Sequence, residues 1–427
     1  MDYSTNSVVL NTASHESEGH PILLPNGSLL LVYRIDADAS GTHVGNPASL
    51  ACRTSANGGT TWGDEVTVYS SEYDDRNHAV GVLASGRIVV LLRRYNATTS
   101  TTVDNGYVYS DDNGATWSTY TTLTMESVTI HFGPIRKAPD GRYYVVAYTT
   151  GRVEVWFSAD GMTWGERNAI STDAGVTESV AVFISQTDMV CVSRHENYTS
   201  AGYYFYSSAD TGKTWSARTQ ITRFSAYWMS APWVTYDTST DRVYVFGGER
   251  RDYASGVHGA GAPNSLLLVY SADATTALAD PNGAATWTLE HSFLRPMPSA
   301  YFFYGYPAVA DSHNGVSLCV FSEAEADTNE DAELYSFAIT GADFSDLDGY
   351  DLDVFFLADY DLDGYDLDVF FLADAPPVTP TDWMTVVPGD ASWASGAIST
   401  ASWSSVVGGI STWTTAVPKT PLGNPRT

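Results

Sequence analysis

The chain has 427 residues, of which 50 are Asp or Glu and 21 are Lys or Arg, so its formal net charge at pH 7 is −29. Hydrophobic residues make up 44% of the sequence, which is enough to bury a large core. Because the surface field is strongly negative, duplex nucleic acid and anionic membranes are poor partners. A solvated acidic surface explains this charge, with adaptation to a salty medium or a cation requirement as alternatives.

The amino terminus has neither the basic region nor the long apolar segment of a secretory signal peptide. No later segment has the length of a membrane span, so we expect neither a signal peptide nor membrane insertion. The three cysteines, Cys52, Cys191 and Cys319, lie far apart in strand-like segments without CxxC spacing. This pattern favours buried thiols.

A short motif of the form S-x-D-x-G-x-T-W recurs five times along the chain. Asp or Asn together with Gly suits a tight turn between two strands, and the Thr and Trp begin the next strand. The third copy is one residue short, and the fifth carries an insertion. The copies are SANGGTTW (55–62), SDDNGATW (110–117), SADGMTW (158–164), SADTGKTW (208–215) and the split SAD…NGAATW (271–287).

Each motif follows the same pair of segments, an apolar strand, a Gly or Asp turn, and a second apolar strand that ends in charge. A sixth pair without the motif ends near Thr340. Six units with roughly four strands each predict an all-β fold, a six-bladed β-propeller over residues 1–340. The strand-like SVVLN at 7–11 is expected to close the ring by joining the last blade.

After residue 340 the chain continues as a repetitive, β-rich or extended C-terminal extension. A tandem 15-residue acidic and aromatic repeat occupies 341–374, a Pro-rich linker occupies 375–381, and a Trp-periodic decapeptide tail occupies 382–427. Short strands that cannot bury their Trp residues alone should pack on a partner or on copies of themselves, which predicts docking or homo-oligomerisation. A disordered Ser/Thr-rich tail is the alternative.

The aspartates of the tandem repeat have two explanations. In the first, acidic residues flank the aggregation-prone VFFLAD segment and keep it from associating with other chains. Their spacing is also similar to that of a calcium loop, although the Gly and the distal Glu of an EF-hand are out of place. We therefore predict no cofactor, with calcium as the alternative.

In a propeller the innermost strands converge on a central channel, whose rim is the expected binding site. The corresponding positions here are rich in Arg, His and carboxylates, which either satisfy one another or form a pocket that binds or cleaves carbohydrate. Zinc bound by three histidines is a further alternative, although the site residues that we predict include no metal ligand. The rim residues expected to contact substrate are His20, Arg34, His78 and His131.

The five motifs, known as Asp-boxes or BNR repeats, resemble those of the sialidase (neuraminidase) superfamily over residues 1–340. The resemblance implies a site with three arginines that hold an anionic sugar, a Tyr nucleophile activated by a Glu, and an Asp acid/base. TESVAVFISQTDMVCVSR at 177–194 resembles the stretch that supplies the activating carboxylate and one arginine, implying Glu178 and Arg194. YGYPAVADSHNGVSLCVFSE at 304–323 resembles the nucleophile stretch, implying Tyr306.

The remaining members of that site are less closely matched. The third arginine is Arg250 or Arg251, and the acid/base is Asp36 or Asp38; we take Arg250 and Asp38 as the candidates. The family's first arginine is absent, because its place reads EGHP at 18–21. Losing a charge-assisted contact worth about 1.5–3 kcal/mol argues against true sialidase activity.

Three functions follow as hypotheses. The Trp-periodic tail resembles tails of structural proteins from tailed phages, so the first is a glycan-recognising receptor-binding or decoration protein of a virion, docked on other virion proteins through the tail. The second is an exo-glycosidase of the sialidase class with Tyr306 as nucleophile, and the third is a polysaccharide lyase that uses His and Tyr. The expected location is a virion or the extracellular medium.

Overall fold

The protein was analysed as a computed structural model, which divides into two compact units, Met1–Gly349 and Tyr350–Thr427. The residues that the structure describes are 1–5, 7–10, 14–36, 43–126, 129–149, 151–196, 202–224, 228–250, 265–295, 302–325, 332–346, 352–356, 369–373, 382–386 and 393–397.

The first unit is all-β, with one short helix among its described residues. Two strands at the amino terminus, β1 (Asp2–Tyr3) and β2 (Ser7–Leu10), precede a four-stranded antiparallel sheet. That sheet consists of β3 (His15–Leu23), β4 (Leu29–Asp36), β5 (Ser49–Ser55) and β6 (Val66–Tyr69).

An eight-stranded sheet follows, built from two four-stranded antiparallel halves. A parallel pairing of Pro134 with Val80 joins the two halves through their first strands. The first half is β7 (Asp74–Val82), β8 (Ile88–Asn96), β9 (Thr101–Ser110) and β10 (Thr121–Thr122). The second half is β11 (Ile130–Lys137), β12 (Tyr143–Thr149), β13 (Arg152–Ser158) and β14 (Glu166–Ser171).

Three further groups of strands complete the first unit. The first group is β15 (Val176–Phe183), β16 (Met189–His195), β17 (Tyr203–Ser208) and β18 (Thr219–Ile221). The second is β19 (Trp228–Met229), β20 (Trp233–Asp237), β21 (Arg242–Arg250), β22 (Ser265–Asp273) and β23 (Thr288–Arg295), with helix α1 (Ala274–Ala279) between β22 and β23. The third is β24 (Phe302–Val309), β25 (Val316–Glu325) and β26 (Ala332–Thr340).

The sheets have a β-propeller-like arrangement, as the repeats predict. Their inner strands contact one another in a ring: β3 contacts β7, β7 contacts β11, β11 contacts β15, β15 contacts β20, β20 contacts β24, and β24 contacts β3. The hydrophobic core lies between the sheets, because both faces of these β-branched and aliphatic strands are covered. The blade count of six stays a prediction, since hydrogen bonding joins two of the units into one sheet.

The amino-terminal strands pair with the last strand of the first unit. β2 runs antiparallel to β26, with Ser7 opposite Ser336 and Val8 opposite Tyr335, and β1 pairs with the same strand. Leu10 is buried in a cluster that includes Leu334. The predicted closing strand is therefore confirmed, and it covers an edge that would otherwise be open.

The complete Asp-box motifs form side-chain-capped turns. In the second copy, Asp112 accepts hydrogen bonds at Oδ1 from the Thr116 amide (2.8 Å) and the Ser110 hydroxyl (2.8 Å). The Ser110 hydroxyl also accepts one from the Gly114 amide (2.9 Å), and Gly114 adopts a φ of +87°. Equivalent bonds recur in the copies at 158–164 and 208–215.

The insertion in the fifth motif forms helix α1. Asp273, which would cap the turn in a complete motif, instead caps the helix by accepting a hydrogen bond from the Thr276 amide (2.9 Å). The motif's Trp287 donates its indole N–H to the Pro281 carbonyl (2.7 Å). The split motif therefore keeps its Trp anchor while the Asp takes another role.

All three cysteines are buried and free, as predicted. Burial raises the pKa of Cys52 to about 11 and that of Cys191 to about 12. Such thiols are poor nucleophiles at neutral pH.

The second unit contains a four-stranded antiparallel sheet. β27 (Leu352–Phe356) from the first copy of the tandem repeat pairs with β28 (Val369–Ala373) from the second, and β29 (Asp382–Val386) pairs with β30 (Trp393–Ala397). The predicted boundaries of the extension stay predictions. No helix in the described ranges is both long and apolar enough to cross a membrane.

Candidate functional site

Irregularities in the inner strands set the direction of the site residues. The strand register shifts between Ser17 and His20 in β3, and again between Gly305 and Ala308 in β24. Tyr306 lies inside the second shift and has a φ of +50°. A bulge of this kind re-aims a side chain, and a positive φ at an aromatic residue costs about 1–3 kcal/mol. Positive φ values also occur within the register shifts of three other inner strands, at Glu18, Asn77 and Gly133.

Asp74 pairs with two buried arginines at the start of β7. Its carboxylate accepts hydrogen bonds from Arg34 Nε (2.8 Å) and Nη2 (3.1 Å), and from Arg76 Nη1 (3.1 Å). Glu18 lies 3.5 Å from Arg76 Nη2. Arg34, predicted to contact substrate, is fully buried in this network, and its contact with substrate stays a prediction.

Arg93 lies directly opposite Arg76 across β7 and β8. Among the described residues it makes no ion pair; its contacts are a long hydrogen bond to Thr102 Oγ1 (3.5 Å) and the ring of Tyr95, 4.6 Å from the guanidinium carbon. Burial and the neighbouring Arg76 lower the pKa of Arg93. Like charges placed opposite each other on a sheet are destabilising, and the Glu18 carboxylate, 3.5 Å from Arg76 Nη2, also acts on the Arg93 charge and offsets part of this repulsion.

Three residues predicted from the resemblance lie together. Arg194 Nη1 is 2.9 Å from Glu178 Oε1, and the Arg194 charge also interacts with Tyr306. Burial disfavours the Arg194 charge, but the neighbouring groups, Glu178 foremost, together outweigh this and raise the pKa of Arg194. Glu178 and Arg194 are about one-twentieth exposed and Tyr306 about one-tenth. A phenol, a carboxylate and a guanidinium thus converge, and the catalytic roles assigned to them stay predictions.

Tyr148 interacts electrostatically both with Arg93 and with Arg194. Burial and the Glu178 carboxylate raise its pKa, whereas the charges of Arg93 and Arg194 lower it. Tyr148 also interacts electrostatically with Tyr306. We call the set Arg76, Arg93, Tyr148, Arg194 and Tyr306 the channel site.

The predicted histidines lie in the protein interior. The ring centroids of His20 and His78 are 4.6 Å apart, and the Trp233 ring lies 5.6 Å from that of His20 in a tilted arrangement. His131 is also fully buried, and burial together with Arg93 lowers its pKa to about 3. All three are neutral at neutral pH, since burial lowers each pKa. Their contact with substrate stays a prediction.

Two predicted residues cannot be placed in the site. Asp38 lies outside the described residues, and for Arg250 only the backbone is described, paired with Trp228. Asp36, the alternative acid/base, is buried at the end of β4.

Sequence reasoning missed Arg76, Asp74 and His43. Arg76 Nη1 donates to the His43 carbonyl (3.0 Å), and the His43 ring stacks on Tyr306 at 6.0 Å between centroids. The run of three charged residues before the apolar HAVGV was an available signal for Arg76. No local pattern indicates His43, because its place depends on a loop.

The family of the chain follows from residues 27–316, which match the model described as the BNR repeat-like domain. The chain belongs to this family. No curated protein matches the sequence.

Solved structures resemble the BNR repeat-like chain in fold. A protein of unknown function from Dyadobacter fermentans has 16% identity and a TM-score of 0.62, covering 79% of this chain and 99% of that one. A point variant of NanB sialidase from Streptococcus pneumoniae has 14% identity and a TM-score of 0.59, and the match covers 78% of this chain and 70% of the sialidase chain. An α-L-arabinanase from Penicillium chrysogenum, complexed with arabinobiose, has 16% identity and a TM-score of 0.52, covering 79% and 98%.

At these identities the likeness concerns the fold, a sialidase-like propeller. It does not assign an activity to the channel site.

Proposed function

We propose that this chain is a glycan-recognising, six-bladed propeller whose channel site binds an acidic sugar. The eight-stranded sheet counts as two blades in this proposal. The observation that carries it is the placement of Arg93, opposite Arg76 and without an ion-pair partner in the described residues. A sugar carboxylate would relieve the repulsion between these guanidinium groups and form charge-assisted hydrogen bonds.

The test compares binding of the full chain to acidic and neutral glycans on an array that includes sialylated and uronic-acid oligosaccharides. Arg93→Ala should weaken binding to acidic glycans about 10- to 100-fold, because a hydrogen bond to a charged group is worth about 1.5–3 kcal/mol. Equal binding of acidic and neutral glycans, or an unchanged affinity in the variant, would reject the proposal.

A matched control lies near the other end of the same strand. Arg87 precedes β8, pairs with the exposed Asp111 (2.7 Å) and lies over the ring of Tyr109. Six residues of extended chain separate the two arginines by roughly 20 Å. Arg87→Ala removes the same charge from the protein and should leave glycan binding unchanged.

Hydrolysis is the second candidate function. The contact between Arg194 and Glu178 (2.9 Å), with Tyr306 interacting electrostatically with Arg194, favours a glycosidase of the sialidase class in which Tyr306 is the nucleophile. Asp38 is the candidate acid/base. Release of a free acidic sugar by the protein, abolished in Tyr306→Phe, would support this candidate over recognition alone.

The setting that we propose is a virion, with the chain acting as a receptor-binding or decoration protein. Sequence supports this: Trp383, Trp393, Trp403 and Trp413 recur at a period of ten in a tail suited to docking on other proteins or on copies of itself. Purified particles probed with an antibody to the chain provide the test, and a chain found only free in the medium would reject this part.

A further inference from the structure

A groove lies between the first repeat, formed by β3 to β6, and the motif turn of the second repeat, formed by β7 to β10. Its volume is about 290 Å³. This space corresponds to about ten water molecules, which is more than one long side chain requires. We call it the first groove, and its lining includes Leu24, Ser28, Cys52, Thr54, Asp64 and Ala115.

In the next two repeats an arginine of the protein fills the corresponding space. The guanidinium carbon of Arg87 in the second repeat lies 4.0 Å from the centroid of the Tyr109 ring. Its Nη1 also lies 3.5 Å from the sulfur of Met162, in the motif turn of the third repeat, β11 to β14. In that third repeat, the guanidinium carbon of Arg142 lies 4.4 Å from the centroid of the Phe157 ring.

The first groove is open because small side chains lie at the corresponding positions. The strand register, together with the same hydrogen bond closing each turn, places Ser28 where the next two repeats have arginine. By the same register, Thr54 replaces the aromatic ring. Ala115 replaces the methionine of the motif turn. The first groove is therefore an arginine position that lacks the arginine.

A carboxylate is nevertheless present in the first groove. In the third repeat, Glu166 lies 2.7 Å from Arg142 Nη1 and pairs with it. Asp64 corresponds to Glu166, because each directly follows the Trp-Gly pair after its motif turn. Asp64 is exposed and makes no ion pair with any residue that the structure describes. The groove thus keeps the acidic partner of an arginine.

Arg53 also lines the first groove, but its own neighbours compensate its charge. Its Nη1 donates to the Gly63 carbonyl (3.0 Å), and its Nη2 lies 3.6 Å from the Glu65 carboxylate. Its Nε donates to the Tyr33 hydroxyl (3.2 Å). Asp64 therefore gives the groove a net negative charge, which favours a cation and disfavours an acidic sugar.

We propose that the first groove binds an arginine side chain of a partner protein. The guanidinium group pairs with Asp64 as Arg142 pairs with Glu166, and the methylene stem packs on the apolar side chains of the groove, Leu24 and Cys52. Arginine is enriched among the anchor residues that fill pockets at protein interfaces. The net charge of −29 also attracts a basic partner.

The test uses N-acetyl-arginine amide as the probe. N-acetyl-citrulline amide, which has nearly the same shape without the charge, is the matched control. Titration of the full chain by saturation-transfer NMR measures such weak affinities. We expect the arginine probe to bind about 3- to 5-fold more tightly than the citrulline probe, the range for a partly exposed ion pair.

Two pairs of variants locate the bound probe. Asp64→Asn should lower the affinity for the arginine probe about 3- to 5-fold. Glu72→Gln removes the same charge from an exposed position beyond the other end of β6 and should leave the affinity unchanged. Ser28→Arg installs the arginine of the other repeats and should abolish binding without lowering the melting temperature, whereas Ser28→Ala should keep full affinity.

Three results would overturn the inference. Equal affinities of the two probes would show that the guanidinium charge is not recognised. An equal loss in Asp64→Asn and Glu72→Gln would show attraction by net charge alone. Binding of a neutral methyl glycoside that Ser28→Arg blocks would assign the groove to carbohydrate.

The inference does not depend on the channel site. The turn before Ser28 follows the end of β3, whereas Asp74 lies at the start of its inner strand, β7. Binding of acidic glycans through Arg93 should therefore be the same in Asp64→Asn as in the wild type. Failure of either proposal would leave the other intact.

Discussion

At the scale of single residues, Asp74 is the acidic group that pairs with both Arg34 and Arg76 in the interior. All three side chains are nearly inaccessible to solvent. Removing one member of a buried ion pair leaves uncompensated charge, so Asp74→Ala should lower the free energy of unfolding by about 3–5 kcal/mol. Denaturant titration measures this. Asp111→Ala, which breaks the exposed pair with Arg87, is the control and should change stability little. A similar loss in both variants would contradict the account.

Asp75, next in the chain, links stability to pH. Burial raises the pKa of this carboxyl to about 7, although hydrogen bonds from the Ser71 amide and hydroxyl oppose the rise. The folded state therefore binds its proton more tightly than the unfolded state, so this group's contribution to stability is lost as pH rises from about 4 to 7.

Asp75→Asn should remove this dependence, because an amide stays neutral and can still accept from the Ser71 amide and donate to its hydroxyl. At pH 8 the variant should be more stable than the wild type, by up to about 4 kcal/mol at about 1.4 kcal/mol per pKa unit. Thermal unfolding at pH 5 and pH 8 is the measurement. A variant that loses stability equally at both pH values would show that the carboxylate is needed for the turn.

At the scale of elements, the Asp-box turns are held by one buried hydroxyl each. Ser110 is 1% exposed and interacts with Asp112 and Gly114 at once. Ser110→Ala should destabilise the protein by about 1–3 kcal/mol, the cost of leaving buried backbone donors unpaired. Differential scanning calorimetry measures it. Thr119→Ala, at an exposed position of the same connection, is the control, and an equal effect there would argue against a special role for the motif.

Elements also show what sequence could and could not predict. The turns and the closing strand follow from local patterns and repeat spacing, since each depends on a strand of known period, whereas Glu178, Arg194 and Tyr306 were assigned from the family resemblance. Arg76 and His43 were missed because a bulge and a loop, set by tertiary contacts such as Gly45 to Asp74, determine where they lie. The helix in the fifth motif was missed because its short insertion has no helical periodicity.

At the scale of the whole molecule, the amino terminus closes the ring by pairing with β26. Deleting residues 1–10 should expose that edge and the apolar cluster around Leu10 and Leu334, which lowers the melting temperature and promotes association. Calorimetry and analytical ultracentrifugation measure the two effects. Deleting residues 1–5 removes only β1 and should have the smaller effect. Unchanged melting after the longer deletion would show that the ring does not depend on these strands.

The channel site joins these scales, because a repeat-built ring brings arginines from separate strands to one place, and Arg93 among them makes no ion pair in the described part of the chain. A high-resolution structure of the protein with a bound acidic oligosaccharide tests this most directly. We predict a sugar carboxylate within hydrogen-bonding distance of the Arg93 guanidinium, with the sugar ring beside His43 and Tyr306. An oligosaccharide bound elsewhere, or one whose carboxylate points away from Arg93 into solvent, would contradict the account.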